Sequence, residues 1–322
     1  MLKQAARFAL HKMGGLHILR LRNLNKFGVT AFHSFSKASQ PNVEALCRYI
    51  ARHFEPVSLS TIVDSVESGA ALPKNAIHVT IDDGYRNFLL YGHPVFHRHR
   101  IPTTLYAVTG FAAGRIWLWP DRIAYGITNS PLKFLEVKVD EKTSLELSLN
   151  TQEERTAEAL RLSMALTQVT NAARLTFILG FGALTQVEFP EQPPADRAAM
   201  SWEELRAVSA EGVEIGCHTE THPILSRQLT AAQLAQETNG AKQEMEERLG
   251  SPVFHFCYPN GLGQDINEAI TQSVRTAGFR SAVTCSQGFN SPEIDRFYIK
   301  RILLDSALDY RYGVELLSGL HM

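Results

Sequence analysis

The sequence is poor in cysteine, has no long apolar run and carries almost no net charge. Cys47, Cys217, Cys257 and Cys285 are its four cysteines in 322 residues, and none forms a C-x-x-C pair or a short-spaced framework. That pattern argues against a disulfide scaffold and a thiolate metal site, and leads us to expect a reducing, cytoplasmic setting. No stretch approaches the roughly 18 apolar residues of a membrane-spanning helix. Lys+Arg 32 against Asp+Glu 33 gives a formal charge of −1, so the clustered basic field that grips a nucleic-acid backbone is missing and no nucleic-acid partner is expected. Lys3, Arg7, Lys12, Arg20, Arg22 and Lys26 break up every apolar stretch near the N-terminus, so no secretory leader is expected. This basic segment reads as a solvated first helix, with peripheral contact to an anionic membrane surface as the lesser alternative.

What is present is globular material. Hydrophobic residues make up 44% of the chain and charged residues 20%, enough apolar substance for a sizeable core. Short β-branched and aromatic runs recur at 29–35, 77–81, 103–108, 213–217, 253–257, 281–284 and 298–303, most of them followed by a helix-like segment. Strands alternating with helices predict a parallel sheet covered by helices. Helices are expected at 42–53, 59–68, 201–210, 230–249 and 265–277, with capping boxes at Ser201/Glu204 and Thr230/Gln233. The alternation fails between Gly114 and Met200, where an aromatic cluster (Trp117, Trp119, Pro120), a hairpin through 132–149 and a helix over 152–179 are expected, followed by a proline-bearing linker, PEQPPADRAA. We read 114–200 as an insertion within a single domain.

Chemistry-bearing residues gather where strands are expected to end. The run IHVTIDDGYRNF leads from a strand into vicinal carboxylates, Asp82 and Asp83, before a glycine. Asp-Gly after a strand is most often only a turn. Paired carboxylates, however, repel unless solvated or balanced by a counter-charge, which a metal would supply while leaving one acid free as a base. In VEIGCHTETHPILS, His218 ends a strand and His222 follows four residues later; two such imidazoles and a carboxylate could share one Zn²⁺ with positions left open. A second pair, His93 and His97, falls inside an expected helix and reads as surface or packing histidines. His33 lies late in VTAFHSF, and Tyr258, Pro259, Asn260 and Gly261 follow the strand ending at Cys257. In parallel α/β barrels functional groups collect at the carboxyl ends of strands, and these four segments would share one rim.

TIDDG, followed by EIGCHTETHPILS and then FCYPNG, resembles the polysaccharide deacetylases, that is, the NodB-homology domains or family 4 carbohydrate esterases. The resemblance also covers SWEELRAVSAEG and EMEERLGSPVFH, and is weakest in residues 1–25 and 114–200. It implies a deformed (β/α) barrel of about seven strands with an insertion. It further implies a metal-dependent hydrolase that removes acetyl groups from N-acetylated oligo- or polysaccharides, with Asp82 as general base and Asp83, His218 and His222 as ligands of a divalent ion, expected to be Zn²⁺. Backbone N–H groups near Tyr258 and Asn260 would complete an oxyanion site. The chain departs from the pattern where many members carry an arginine and it has Cys257; Arg301, in YIKRILL, is the candidate to orient Asp82, with a purely structural arginine as the alternative. The general-acid histidine that usually follows a C-terminal leucine is matched in letters by Leu320 and His321, but chain ends fray and that match reads as accidental. GVTAFHSF is instead similar to the N-terminal strand of the circularly permuted poly-N-acetylglucosamine deacetylase branch, which makes His33 the acid. Trp117 and Trp119 suggest a sugar-stacking platform, or equally the core of the insertion. A glycan-binding protein without turnover, or a hydrolase of another acyl amide, are the rival readings.

Overall fold

The computed structural model describes residues 15–141 and 143–320. Seven parallel strands close into a barrel: β1 (Gly28–Phe32), β3 (Ala76–Ile81), β4 (Thr103–Ala107), β7 (Glu214–Cys217), β8 (His255–Cys257), β9 (Ser281–Gln287) and β10 (Ile299–Leu303). They pair in chain order, and β10 returns to β1 through Thr30↔Ile302 and Ala31↔Leu303. The extra strand β2 (Glu55–Pro56) takes the lower part of one β3 edge, at Ala76 and Ile77, and β4 takes the upper part from Val79 onward. Such closure leaves no long free edge to be capped.

Parallel strands covered on both faces should be buried throughout, and β1, β3 and β4 are buried at every residue. The two faces still differ in chemistry. Along β3 the period of two sends Ile77, Val79 and Ile81 to the apolar layer under the helices, while His78 and Thr80 point to the other face. There His78 Nε2 meets Thr104 Oγ1 at 2.8 Å, and Thr80 Oγ1 donates to the Thr30 carbonyl at 2.6 Å. The barrel interior is thus partly polar, and its walls supply partners to His78 and Thr80, while the buried Tyr106 hydroxyl finds none among the described residues.

Most expected elements form where the sequence places them, and both capping boxes close. Differences have local causes. The expected strand 253–257 shortens to His255–Cys257, because the Val253 carbonyl accepts from Lys242 Nζ at 2.8 Å and its N–H donates to Glu246 Oε1 at 2.9 Å. A helix claims both groups before a neighbouring strand can. The expected single helix over 152–179 is two, Gln152–Leu166 and Asn171–Thr185, since Thr170 caps the second by accepting from the Ala173 N–H. Asn267, not Asp265, caps Glu268–Thr276.

Residues 114–200 lie between β4 and β7. They contain the antiparallel hairpin β5 (Phe134–Lys138) and β6 (Ser144–Ser148), whose inner face packs Leu135, Val137 and Leu147 against Ile123, Leu162 and Phe181 in an apolar cluster of its own. No helix among the described residues is long and apolar enough to cross a membrane.

Candidate active site

The carboxyl ends of β1, β3, β7, β8 and β9 open into a cleft of about 710 Å³. Asp82 follows Ile81, and its N–H donates to the Phe32 carbonyl at 2.8 Å, which seats it beside His33. Asp83 takes a left-handed backbone conformation, φ +74°, as do Thr219 (+69°), His222 (+57°) and Asn260 (+60°). These account for four of the described non-glycine residues with positive φ, and for β-branched Thr219 the conformation is costly. Concentrated strain of this kind aims side chains: Asp83 turns toward the two histidines, and His222 is brought back over His218, ring centroids 4.8 Å apart.

Asp83 Oδ1 lies 3.5 Å from His218 Nε2 and 3.4 Å from His222 Nε2. One ligand atom from each of these residues falls within 4.8 Å of the others. His218 Nδ1 is 2.8 Å from the Cys257 carbonyl oxygen; it must donate there, which leaves the Nε2 lone pair facing Asp83. Burial, with His218 adding, pushes the His222 pKa down to about 4, so its ring is neutral near pH 7. Burial works against the Asp83 anion, yet the imidazoles facing it, His218 first and then His222, outweigh it and lower its pKa. A carboxylate and two imidazoles converging in a cleft are the donor set of a divalent transition-metal site. Asp82, His218 and Cys257 also lie within reach of one another, but burial drives the Cys257 thiol far above its ordinary pKa and Asp82 is otherwise engaged.

That engagement is with Arg301, whose side chain is fully buried. Nη1 donates to Asp82 Oδ1 at 2.7 Å and Nη2 to Oδ2 at 2.8 Å, while Nε donates to the Thr284 carbonyl and Nη1 also to Thr80 Oγ1. Burial opposes ionisation of Asp82, but the Arg301 charge, and then His33, hold its carboxyl well below the usual carboxylate range. His33 Nε2 stands 3.6 Å from Asp82 Oδ2, with its side chain 53% exposed to the cleft.

The loop bearing the histidines is anchored from behind. Glu237 Oε2 accepts the N–H groups of Glu220 and Thr221, each at 2.9 Å, and the Thr221 hydroxyl bonds Glu237 Oε1. Glu237 lies in the π-helical turn Gln236–Gly240, which interrupts the expected helix 230–249. Nothing in the sequence marks it.

Other expected residues divide. Trp119 lines the cleft and donates Nε1–H to the His222 carbonyl at 3.2 Å. Trp117 does not line it: its ring packs edge-on against Tyr125 and Phe189 and its Nε1–H goes to the Glu191 carbonyl, so it belongs to the packing of 114–200. Tyr258 forms part of the cleft wall, but its N–H donates to Val283 and its hydroxyl to Phe297, which rules it out as an oxyanion donor. At Asn260 the side-chain amide is tied to Asp265 Oδ2 at 2.5 Å. Among the described residues no hydrogen bond takes up the Asn260 N–H, which sits in the turn beside the cleft. His321 lies outside the described residues.

Sequence reasoning missed a polar trio on the opposite wall. Asp121, at 7% exposure, accepts from the Tyr85 hydroxyl and from Arg197 Nη1, both at 2.7 Å. Burial raises its pKa, with these two hydrogen bonds opposing. Arg197 comes from the short 3₁₀ turn Ala195–Arg197, inside what reads in sequence as a mere linker.

Residues 191–282 match the family model for polysaccharide deacetylases. A comparison with curated proteins gave no match. Among solved structures the chain is similar to the Streptococcus pyogenes deacetylase PplD in complex with acetate (TM-score 0.58, 12% identity, 91% of this chain and 98% of that one). It is also similar to IcaB from Ammonifex degensii (0.57, 16%, 91% and 97%) and to the BpsB deacetylase domain from Bordetella bronchiseptica (0.53, 16%, 87% and 96%). The segment that holds His218, His222 and the Tyr258–Gly261 turn therefore matches the polysaccharide deacetylase family model, and the barrel around it has the fold of solved deacetylases.

Proposed function

We propose that the protein is a metal-dependent hydrolase that removes acetyl groups from N-acetylated sugars of a cell-surface or exported polysaccharide or its precursor. The observation that carries this reading is the pairing of two adjacent acids with opposite surroundings: Asp83 faces two imidazoles, and Asp82 faces a guanidinium and a third imidazole. Asp83, His218 and His222 would hold the ion, which we assign as Zn²⁺; when bound it supplies Lewis-acid polarisation of an acyl carbonyl and acidifies water.

The remaining work falls to the chain's own side chains. Asp82 accepts the proton of the attacking water. Arg301 keeps it ionised and fixes its plane, and by lowering its basicity makes the transfer depend on a water that is already acidified. His33, on the solvent side of Asp82, donates a proton to the departing sugar nitrogen. The Asn260 N–H, which no other group among the described residues takes up, would donate to the carbonyl oxygen as negative charge develops there. Residues 114–200, read as an insertion, contribute Leu118, Trp119 and Pro120 as an apolar wall against which a sugar ring or acetyl methyl can rest.

Where the family pattern places an arginine this chain has Cys257, but Arg301 reaches the base from β10. This favours turnover over a binding role. The test is acetate release from N-acetylated amino-sugar oligomers by the Zn²⁺-loaded protein. Loss of acetate release in Asp82→Asn with metal retained supports the proposal; undiminished release in that variant overturns it. Formate released from N-formylated oligomers supplied alongside, with no acetate from the N-acetylated ones, would make it a hydrolase of another acyl amide, and sugar binding with no product a glycan-binding protein.

A further inference from the structure

At the opposite end of the barrel from the cleft, His93 and His97 lie one turn apart on the helix His93–Arg98, and Glu211 ends the helix that leads into β7. Both imidazoles address the same carboxylate oxygen: His93 Nε2 is 2.8 Å and His97 Nδ1 3.6 Å from Glu211 Oε2. The rings are stacked, 11° from parallel with centroids 5.5 Å apart, and one ligand atom from each of the three residues lies within 4.8 Å of the others. A lone histidine–glutamate ion pair would need only His93. The second imidazole, turned to the same oxygen, completes a two-histidine, one-carboxylate donor set drawn from two separate elements.

We propose that His93, His97 and Glu211 form a second site for a divalent transition metal of the Zn²⁺, Ni²⁺ or Cu²⁺ class, independent of the ion at Asp83, His218 and His222. The site is open. The His97 and Glu211 side chains are 60% and 52% exposed, and a hollow of about 180 Å³ adjoins them, leaving coordination positions to water. Arg100 lines that hollow and offers no ligand; its charge opposes the ion, so borderline metals that bind imidazole strongly are favoured over Mg²⁺ or Ca²⁺. The buried His93 fixes one ligand and the two exposed residues close on the ion. Its effect is mechanical: it joins the helix that follows β3 to the turn that precedes β7, and the far ends of these same two strands present Asp83 and His218.

The test uses the full chain, stripped with a chelator, dialysed against Zn²⁺ alone and assayed for bound metal. Wild type should hold two equivalents, while His97→Ala and Glu211→Gln, both at exposed positions that should fold, hold one. Asp83→Asn should keep one equivalent and show a rise in Tm on adding Zn²⁺, and the rise should vanish in Asp83→Asn combined with His97→Ala. Two equivalents in His97→Ala, or a single equivalent in wild type that Asp83→Asn loses and His97→Ala keeps, overturns the proposal. If instead Asp83→Asn loses no metal while His97→Ala does, the cleft ion fails and this site stands.

Discussion

Arg301 holds both carboxylate oxygens of Asp82 through its two terminal nitrogens, at 2.7 and 2.8 Å, across 219 positions of sequence and with neither side chain open to solvent. Planar bidentate contact is what guanidinium offers and ammonium does not. Removing one partner strands the other as a buried charge, so Arg301→Ala should cost about 3–5 kcal/mol of stability. Asp82→Asn should lower kcat by about 10²–10⁴-fold while metal content is unchanged. In a double-mutant cycle by denaturant unfolding, Asp82→Asn combined with Arg301→Leu should be less destabilised than the two single losses added together. Simple additivity would mean that the pair is not coupled.

The three cleft ligands should behave differently from the base. Asp83→Asn, His218→Ala and His222→Ala are each expected to release the ion from the cleft, and dialysis against a chelator should abolish acetate release until Zn²⁺ is returned. Glu237→Gln touches no ligand, yet it loosens the loop whose N–H groups it holds. It should weaken metal affinity by about 10–100-fold, the usual scale for outer-layer partners. Equilibrium dialysis distinguishes the two groups, and unchanged affinity in Glu237→Gln would show that the loop holds its shape without that anchor.

His33 touches Asp82 only at 3.6 Å and stands half in the cleft, the placement of a group that meets substrate. His33→Ala should reduce kcat by about 10²–10⁴-fold, leaving KM and bound metal near wild type. A loss confined to KM would reassign it to sugar binding.

The fold was legible because each barrel strand is an apolar run closed by a turn signal, and the site because its side chains come one per strand end. Asp82 and Asp83 are adjacent in sequence, and only the left-handed backbone at Asp83 separates their roles; nothing local encodes that. Arg301 was legible as a candidate because Cys257 stands where the resembled family carries an arginine, although only closure of β10 onto β1 shows that it reaches Asp82. Asp121 and Arg197 were not, since an acid in a helix and an arginine in a linker are ordinary surface residues until segment 114–200 folds back over the cleft. Trp117 and Trp119 are two residues apart and chemically identical. Which one faces the cleft depends on the helix Trp119–Asn129 beginning between them.

That difference can be tested directly. Trp119→Ala removes a cleft wall and should raise KM several-fold, and because the ring also packs in the apolar cluster of 114–200 it should cost about 3–5 kcal/mol of stability as well. Trp117→Ala removes a buried ring packed on Tyr125 and Phe189 and should cost about 3–5 kcal/mol with KM unchanged in the protein that remains folded. Reversal of the two outcomes would place the substrate on the other side of the segment.

Stability should fall in acid through a histidine remote from the cleft. Burial pushes the His255 pKa down to about 4, against the opposing charge of Glu214 and with His78 adding to the depression. The ring sits between the Ser60 and Ser281 hydroxyls, Nε2 at 3.1 Å and Nδ1 at 2.9 Å. In the unfolded chain an ordinary histidine titrates near 6.5, so between these values the unfolded state binds the extra proton and stability rises with pH. The neutral ring's contribution is therefore complete above about pH 6.5 and is lost as pH falls toward 4, by at most about 3 kcal/mol at roughly 1.4 kcal/mol per unit. Urea unfolding of wild type and of His255→Gln at pH 7 and pH 5 reads this directly: the variant keeps the polar contacts without the titration, so its loss over that interval should be smaller by about 2 kcal/mol. Equal pH slopes in the two proteins would assign the acid sensitivity to other groups.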